Sequence, residues 1–474
     1  MKLGKKYTGL LAVLLLAYGG TAMAQRGEPQ AFDGNVSVPV ELLPPGARAL
    51  GLSGAFTAVA DDATAAEANP AGLTILRAPE LSVHFRDSDY DLVYYDAEAR
   101  NSGAFGGQTG ELLKNYRDSS NNLAFASVVY PWEKFVFSAF YTNNLDLDAS
   151  SPTETIFDPN FVDTFTSENS LRGELEGYGL STAFRFNEFI SLGITVKETK
   201  MSVNSLDRQT IDNFQDFEFL FEEITGVAPA ADFARVITDR FIISNELAGD
   251  DHDVTFNYGI LFNPASTWSV GLVYKEGGTY KIPAVNTFAQ QLGCMGTPGD
   301  LLFDICQAGF DGVDLGQFNF TNRDDTINEI GVPDTFTLGI AWRPTDTWLL
   351  SLDINNIDYS DLPAPRDRTL GFEFLVDGSS QAIANDIEPI SDAVTYHFGV
   401  EKIFFPEMEL FDILTLRAGA FTDDDHDGTR LVDSDDTHFT VGIGTVINGN
   451  LQIDLAAESS DRIDNIVLSA IYRF

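Results

Sequence analysis

Apolar and polar residues alternate with a period of two along most of this chain. In residues 335–343, Phe336, Leu338, Ile340 and Trp342 share one face, and Thr335, Thr337, Gly339, Ala341 and Arg343 share the other. Residues 348–355 repeat the pattern, with Trp348, Leu350, Leu352 and Ile354 opposite Leu349, Ser351, Asp353 and Asn355. It recurs at 189–197, 268–275, 439–446 and 451–458. A period of two is the signature of a strand whose faces meet different surroundings. Here one face is oily and the other is polar or small.

The connections between these segments are unequal. Short turns are predicted near 131–134, 187–188, 263–267, 343–347, 404–410 and 447–450, and long, acidic, irregular connections lie between them. Six short turns and seven long loops imply about fourteen strands. A soluble sandwich would have similar loops at both ends, whereas an outer-membrane barrel has short turns on one side and long loops on the other. Trp132, Trp268, Trp342 and Trp348 all fall beside the short turns, where an interfacial aromatic girdle belongs. In the last segment Ile466, Leu468, Ala470, Tyr472 and Phe474 alternate with Asn465, Val467, Ser469, Ile471 and Arg473, as expected of a closing strand. Closure pairs every backbone edge, which hydrocarbon demands because each unsatisfied amide there costs several kcal/mol. The expected fold is all-β, a transmembrane antiparallel β-barrel.

The amino terminus adds a compartment. Lys2, Lys5 and Lys6 precede an apolar run at 10–17, and Ala22-Met23-Ala24 forms a small-x-small cleavage site before Gln25. Residues 1–24 are therefore expected to be a signal peptide, cut between Ala24 and Gln25. No later stretch reaches the roughly 18 consecutive apolar residues of a membrane helix. With the three leader lysines removed, 26 basic residues face 71 acidic ones, a net charge of −45 that argues against nucleic acid as a partner. The acidity fits divalent cations or a saline habitat equally. The two cysteines, Cys294 and Cys306, lie close together in a chain bound for an oxidising compartment, so a disulfide closing a short loop is expected.

Residues 46–73, GARALGLSGAFTAVADDATAAEANPAGL, break the strand pattern. Four glycines and ten alanines in this stretch permit close backbone approach, and Asp61-Asp62 and Asn69-Pro70 supply turn chemistry. Such a segment suits a place inside another structure. Three stretches carry a likeness to a known family: ADDATAAEANPAGL at 60–73, FNYGILFNPASTWSVGLVYKEG at 256–277 and VPDTFTLGIAWRPTDTWLLSLDINNIDYSDL at 332–362. In their order they resemble the FadL-type outer-membrane transporters of long-chain fatty acids and their relatives that admit aromatic hydrocarbons.

That resemblance implies a barrel over 79–474 whose lumen is blocked by an amino-terminal hatch over 25–78. Asn69, Pro70 and Ala71 match the family's Asn-Pro-Ala motif where the hatch meets the wall, and with Gly72 they are expected to anchor the hatch, structural support being ranked ahead of ligand contact. It further implies passive transport of hydrophobic compounds, most of all long-chain fatty acids, by a monomer set among outer-membrane lipid and lipopolysaccharide, with no cofactor and no enzyme activity. Two features depart from the family. The stretch QRGEPQAFDGNVSVPVELLPP lacks the usual opening, and the expected third strand, 135–147, has no internal glycine to mark the kink that opens a lateral exit. The rival reading is a non-transporting outer-membrane scaffold of PorV type, whose GARALG...NPAGL region looks similar.

Two connections are long. In 204–250, Phe214, Phe217, Phe221 and Ile224 precede a Gly/Pro break, and Phe233, Val236, Ile237 and Phe241 follow it, so the spacing predicts a helical hairpin. Its oily faces pack on each other or also form an external ligand groove. The connection over 282–330 holds both cysteines and is expected to be a stapled lid. Asp423, Asp425 and Asp427 have calcium-loop spacing ahead of Gly428, but position twelve is Ser434, so a solvated acidic loop is favoured. Gly46, Gly51 and Gly54 fit neither nucleotide-loop spacing, and the five histidines are scattered without a triad or metal pair. Energy-coupled uptake needs about twenty-two strands, more than this chain supplies. The inward-facing Asp353, Asp454, Glu458, Lys197, Lys275 and Arg343 are assigned to lumen solvation and internal salt bridges ahead of hatch anchoring.

Overall fold

The computed structural model describes residues 43–95, 113–150, 154–158, 163–213, 237–294, 320–360, 372–374, 380–382, 392–406, 411–423 and 436–474. The expected leader, its cleavage site at Ala24 and Gln25, Phe214, Phe217, Phe221, Ile224, Phe233, Val236, Cys306, Asp425 and Asp427 lie outside them.

Fourteen antiparallel strands close into a barrel. The first six are Glu80–Tyr95 (β1), Leu113–Trp132 (β2), Phe135–Ser150 (β3), Asp163–Arg185 (β4), Ile190–Asn213 (β5) and Ile237–Ala265 (β6). The other eight are Trp268–Lys275 (β7), Asp334–Thr345 (β8), Trp348–Asp358 (β9), Ala393–Phe404 (β10), Phe411–Asp423 (β11), Asp436–Ile447 (β12), Leu451–Ser459 (β13) and Ile463–Arg473 (β14). Each pairs with the next in sequence, β7 pairs with β8 across the long intervening connection, and β1 pairs with β14 from Glu80↔Arg473 to Tyr90↔Ile463. Among the described residues no helix is long and apolar enough to cross a membrane.

The alternation decides which face looks out. Phe336, Ile340, Trp342 and Leu352 are exposed on the barrel exterior while Thr337, Gly339, Ala341, Ser351 and Asp353 face inward and are buried. All four tryptophans are exposed at the short-turn end, and Trp268 stacks on Trp342 with ring centroids 5.6 Å apart.

The wall is uneven in height. Strands β7 to β14 hold 8 to 13 residues, close to the roughly 9–11 needed to cross hydrocarbon. Strands β4, β5 and β6 hold 23, 24 and 29 and continue far past the others at the long-loop end. Two of the expected loops are therefore partly strand. Residues 204–213 and 239–248 pair with each other as continuations of β5 and β6, so Ile237 and Phe241 are strand positions rather than helical ones. Phe241 sits opposite both Ile211 and Gln290. Local spacing gave way here to a ladder satisfied on both edges. Likewise 282–294 and 320–330 belong to a strand pair, Thr279–Cys294 with Phe320–Gly331, and the first of these strands also pairs with β6. Cys294 ends that strand, and the expected disulfide involves Cys306 outside the described residues.

Candidate functional site

Residues 43–76 fill the lumen toward the short-turn end. A short helix, Ala47–Gly51 (α1), and another, Ala65–Ala68 (α2), lead into a 3-10 turn, Pro70–Ile75. Asn69 sets that turn. Its Oδ1 accepts from Ala71 N at 3.1 Å, and its Nδ2 donates to Thr57 O at 2.8 Å and to Ile260 O on the wall at 3.3 Å. Pro70 at the first position lacks an N–H that the turn would leave idle.

The wall receives this segment on a row of glycines. Gly193 and Gly259 are ladder partners on β5 and β6, and both lie against the Asn69–Ala71 backbone. A Cβ at Gly259 would run into Asn69 Oδ1 and stand 2.9 Å from Pro70 Cδ. The row continues through Gly271, Gly339, Gly399, Gly419 and Gly442, which face Thr57, Ala58, Leu52, Ser53 and Gly51. Small residues on both sides let two backbones meet, which is why the segment is so rich in glycine and alanine.

Polar anchors lock the contact. Asp353 Oδ2 accepts from Phe56 N at 3.0 Å and Thr57 N at 2.9 Å, and Lys197 Nζ donates to Glu67 Oε1 at 2.9 Å. The hydroxyls of Ser181 and Thr195 donate to Ala66 O at 3.1 and 2.8 Å, and His397 Nδ1 lies 2.6 Å from Ser53 O. Of the inward charges, Lys197 and Asp353 thus anchor the segment, and Arg343 approaches Asp61 at 3.8 Å. That reverses the expected ranking for these three, because the segment's free backbone amides and buried acids need partners that water cannot supply there. Asp454 and Glu458 follow the expectation and bind within the wall, to Arg417, and to His438 and Asn465.

Below the segment these anchors join a longer chain of charges. Arg48 pairs with Asp61 and with Glu401 at 3.1 Å, and Glu401 accepts from Arg417 at 2.7 Å. Arg417 continues to Asp454 at 2.6 Å, and Gln452 links Asp454 to Arg473, which holds Glu80 at 2.6 Å. Burial opposes the charge on Arg48, yet Asp61, Glu401 and Asp62 together hold its pKa above the usual arginine value. Burial raises the Asp62 pKa against the pull of Arg48 and the Thr64 hydrogen bonds.

Above the segment the lumen changes character. A cavity of about 130 Å³ lies over Gly54, Thr57 and Ala68, bounded by Lys275, Asp353, His397 and His438 among others. Toward the tall side, inward-facing Tyr90, Leu145, Leu147, Leu175, Met201, Tyr280 and Ile282 form a buried apolar cluster. Beside it the wall parts. The β2–β3 ladder ends at Phe125↔Thr142, although β2 stays paired to β1 as far as Leu113 and β3 to β4 as far as Ser150. Both strands are irregular at that point: the register slips at His84/Phe85 opposite β2 and at Asn143/Leu145 on β3. No glycine is required, because a bulge bends a strand and sharpens its twist. Arg86 donates to the freed Asn143 carbonyl at 2.8 Å.

Of the predicted site residues, the structure brings Asn69, Pro70 and Ala71 together at the wall, turns Gly72 toward Ala60 within the segment, and leaves Ile237 and Phe241 apart on β6. Asp423 ends β11 opposite Asp436, and among the described residues no group of His, Cys, Asp or Glu is arranged to hold a metal. The glycine row and the parted seam escaped the sequence reading. The row leaves a trace, since each of its glycines occupies an inward position of an alternating segment.

A family model described as outer membrane protein transport protein (OMPP1/FadL/TodX) matches residues 46–460. Among solved structures, a FadL homologue from Pseudomonas aeruginosa is 15% identical with a TM-score of 0.54, over 90% of this chain and 98% of that one. The toluene transporter TodX of P. putida is 13% identical with a TM-score of 0.55, over 92% and 99%. The CymD monoaromatic hydrocarbon channel is 14% identical with a TM-score of 0.53, over 92% and 99%. At these identities the likeness to solved structures speaks for the fold. No curated protein matches by sequence.

Proposed function

We propose that this chain, which belongs to the OMPP1/FadL/TodX family of outer-membrane transport proteins, passes hydrophobic compounds through the outer membrane without an energy source, long-chain fatty acids foremost. The observation that supports this reading is a buried apolar cluster inside the lumen above the inserted segment, around which we place the ligand chamber. A barrel that only conducts water lines its lumen with polar side chains, whereas here Leu145, Leu147, Leu175, Met201 and Ile282 turn inward and stay buried. Ligand entering the chamber leaves water, a gain of about 25 cal/mol per Å² of apolar surface. The parted β2–β3 seam borders the chamber and offers a way out sideways above the floor, while Asn69, Pro70 and Ala71 pin the hatch to the wall. A hatch shift or a seam opening then sets the rate of release. The protein works as a monomer among outer-membrane lipid and lipopolysaccharide and needs no cofactor. The scaffold alternative is not favoured by the family to which the chain belongs.

Native mass spectrometry of the detergent-purified protein should reveal copurified fatty acid. Cells deleted for the protein should take up labelled fatty acid more slowly. An empty lumen together with unchanged uptake would overturn the proposal.

A further inference from the structure

The parted seam between β2 and β3 begins directly above a stack of rings that crosses the inside of the wall. His84 on β1 meets the edge of Phe125 on β2 with centroids 5.4 Å apart, and Phe125 stacks on Phe140 of β3 at 5.5 Å. Phe140 in turn lies over its ladder partner Gly179 on β4, where any Cβ would run into the ring. All three rings are buried. The hatch braces the stack, because His84 Nδ1 lies 2.5 Å from Ser469 Oγ, which accepts from Ala47 N at 2.7 Å. At the next inward position of β1, buried Arg86 reaches past β2 and donates through Nη2 to Asn143 O of β3 at 2.8 Å. Phe125↔Thr142 is the last backbone pair of β2 and β3, so the rings and the guanidinium stand where that ladder stops.

A ladder with an open end frays inward, since its last pair opens at the lowest cost. Above the stack the gap itself offers little resistance: Asn122 Nδ2 reaches Asp146 Oδ2 across it at a weak 3.5 Å. The outer face shows where fraying would lead. Up to the start of the seam the outward residues are apolar, with Val83 and Phe85 on β1, Val128 on β2, Phe137 on β3 and Leu180 on β4 all exposed. At the seam the outward Tyr141 and Tyr178 rings lie 5.3 Å apart, and Tyr141 Oη donates to Glu176 Oε1 at 2.7 Å. Beyond it Asp87, Asp89 and Asn121 are exposed. Tyrosines followed by charge mark the border between hydrocarbon and head groups. A seam that spread downward would bare strand edges to hydrocarbon, where nothing can bond to them.

We propose that the His84–Phe125–Phe140 stack and the Arg86 strap are a built stop that ends the seam at the top of the apolar band. Stacked and edge-on rings hold β1 to β4 together, and the guanidinium supplies a charged donor to the first β3 carbonyl beyond the ladder. Backbone edges are then left open only where water and head groups can bond to them, and the wall through hydrocarbon stays shut. These four are positioning residues, which set where the side opening lies and how far it reaches. A ligand leaving sideways would emerge among head groups. That use of the opening rests on the transport reading, whereas the stop itself does not.

The test is hydrogen exchange of the purified protein in lipid nanodiscs, read over 125–132 and 135–142, with the β13–β14 ladder as reference. Arg86→Met keeps an unbranched side chain without the donor. It should speed exchange in the first two segments about tenfold, the loss of one charged hydrogen bond, and leave the reference unchanged. Arg86→Lys should restore part of the protection, and Phe125→Leu, which removes the middle ring, should speed exchange in the same two segments. Heat-modifiable gel mobility reports that each barrel is folded. Unchanged exchange in both Arg86→Met and Phe125→Leu, or an equal rise in the reference ladder, would overturn the stop. Its level is read with a fluorophore on Asn121→Cys, introduced with Cys294 and Cys306 changed to serine. A nitroxide in the lipid head group should quench it more than one near the end of the acyl chain, and the reverse order would overturn the placement. No ligand enters these measurements, so unchanged fatty acid uptake on deletion would remove the transport reading and leave the stop standing.

Discussion

The floor of this lumen and the proposed chamber above it use opposite means. At the floor, glycines let backbone meet backbone, and charges are answered one by one: Arg417, 2% exposed in its side chain, sits between Glu401 at 2.7 Å and Asp454 at 2.6 Å. In the proposed chamber, around Leu145 and Leu147, leucine, methionine and isoleucine side chains pack on one another without direction. Directional contacts specify one arrangement, whereas apolar contacts tolerate several. The contrast suits the transport proposed above, in which the inserted segment holds one arrangement and the apolar region adapts.

Four substitutions would break or sharpen this contrast. Arg417→Ala takes the arginine from buried Asp454 and one of two arginines from buried Glu401, and should cost about 3–5 kcal/mol, seen as a lowered thermal unfolding midpoint. Gly259→Val forces a branched side chain against Asn69 and Pro70. It should cost about 3 kcal/mol and expose residues 43–76 to added protease in the otherwise folded barrel. Asn69→Ala removes the cap on Ala71 and the bonds to Thr57 and Ile260, for a loss of about 2 kcal/mol and a milder gain in protease sensitivity of the same segment. Tyr280→Phe lies in the chamber and deletes only the bond from its hydroxyl to Thr199 Oγ1 at 2.7 Å, so it should cost about 1 kcal/mol and leave the hatch protected. If Tyr280→Phe proved as damaging as Gly259→Val, the distinction between a specified floor and a tolerant chamber would be wrong.

Much of this molecule can be read from residue order. The alternation of Phe336, Leu338, Ile340 and Trp342 with their small or polar neighbours already assigns an outer and an inner face, because a strand repeats every two residues wherever it is placed. The clustering of Trp132, Trp268, Trp342 and Trp348 at one set of turns marks one membrane interface, and the unequal connections give the strand number. The small-residue stretch at 46–73 declares itself as an inserted piece. Strand ends were harder. The run Phe233, Val236, Ile237 and Phe241 suits a helix locally, and only a ladder to 204–213 on one side and to Thr279–Cys294 on the other turns its later part into strand.

What the chain order determined by itself, then, is the barrel, its two faces and the segment inside it, since each depends on periodicity and composition within a short window. The tertiary structure alone decided which inward residues meet. Whether Asp353 would face water or hold Phe56 and Thr57, whether Gly193 and Gly259 would line up against Asn69, and where β2 would part from β3 all depend on the register between strands far apart in sequence. A shift of one residue in that register would turn every one of these side chains to the other face.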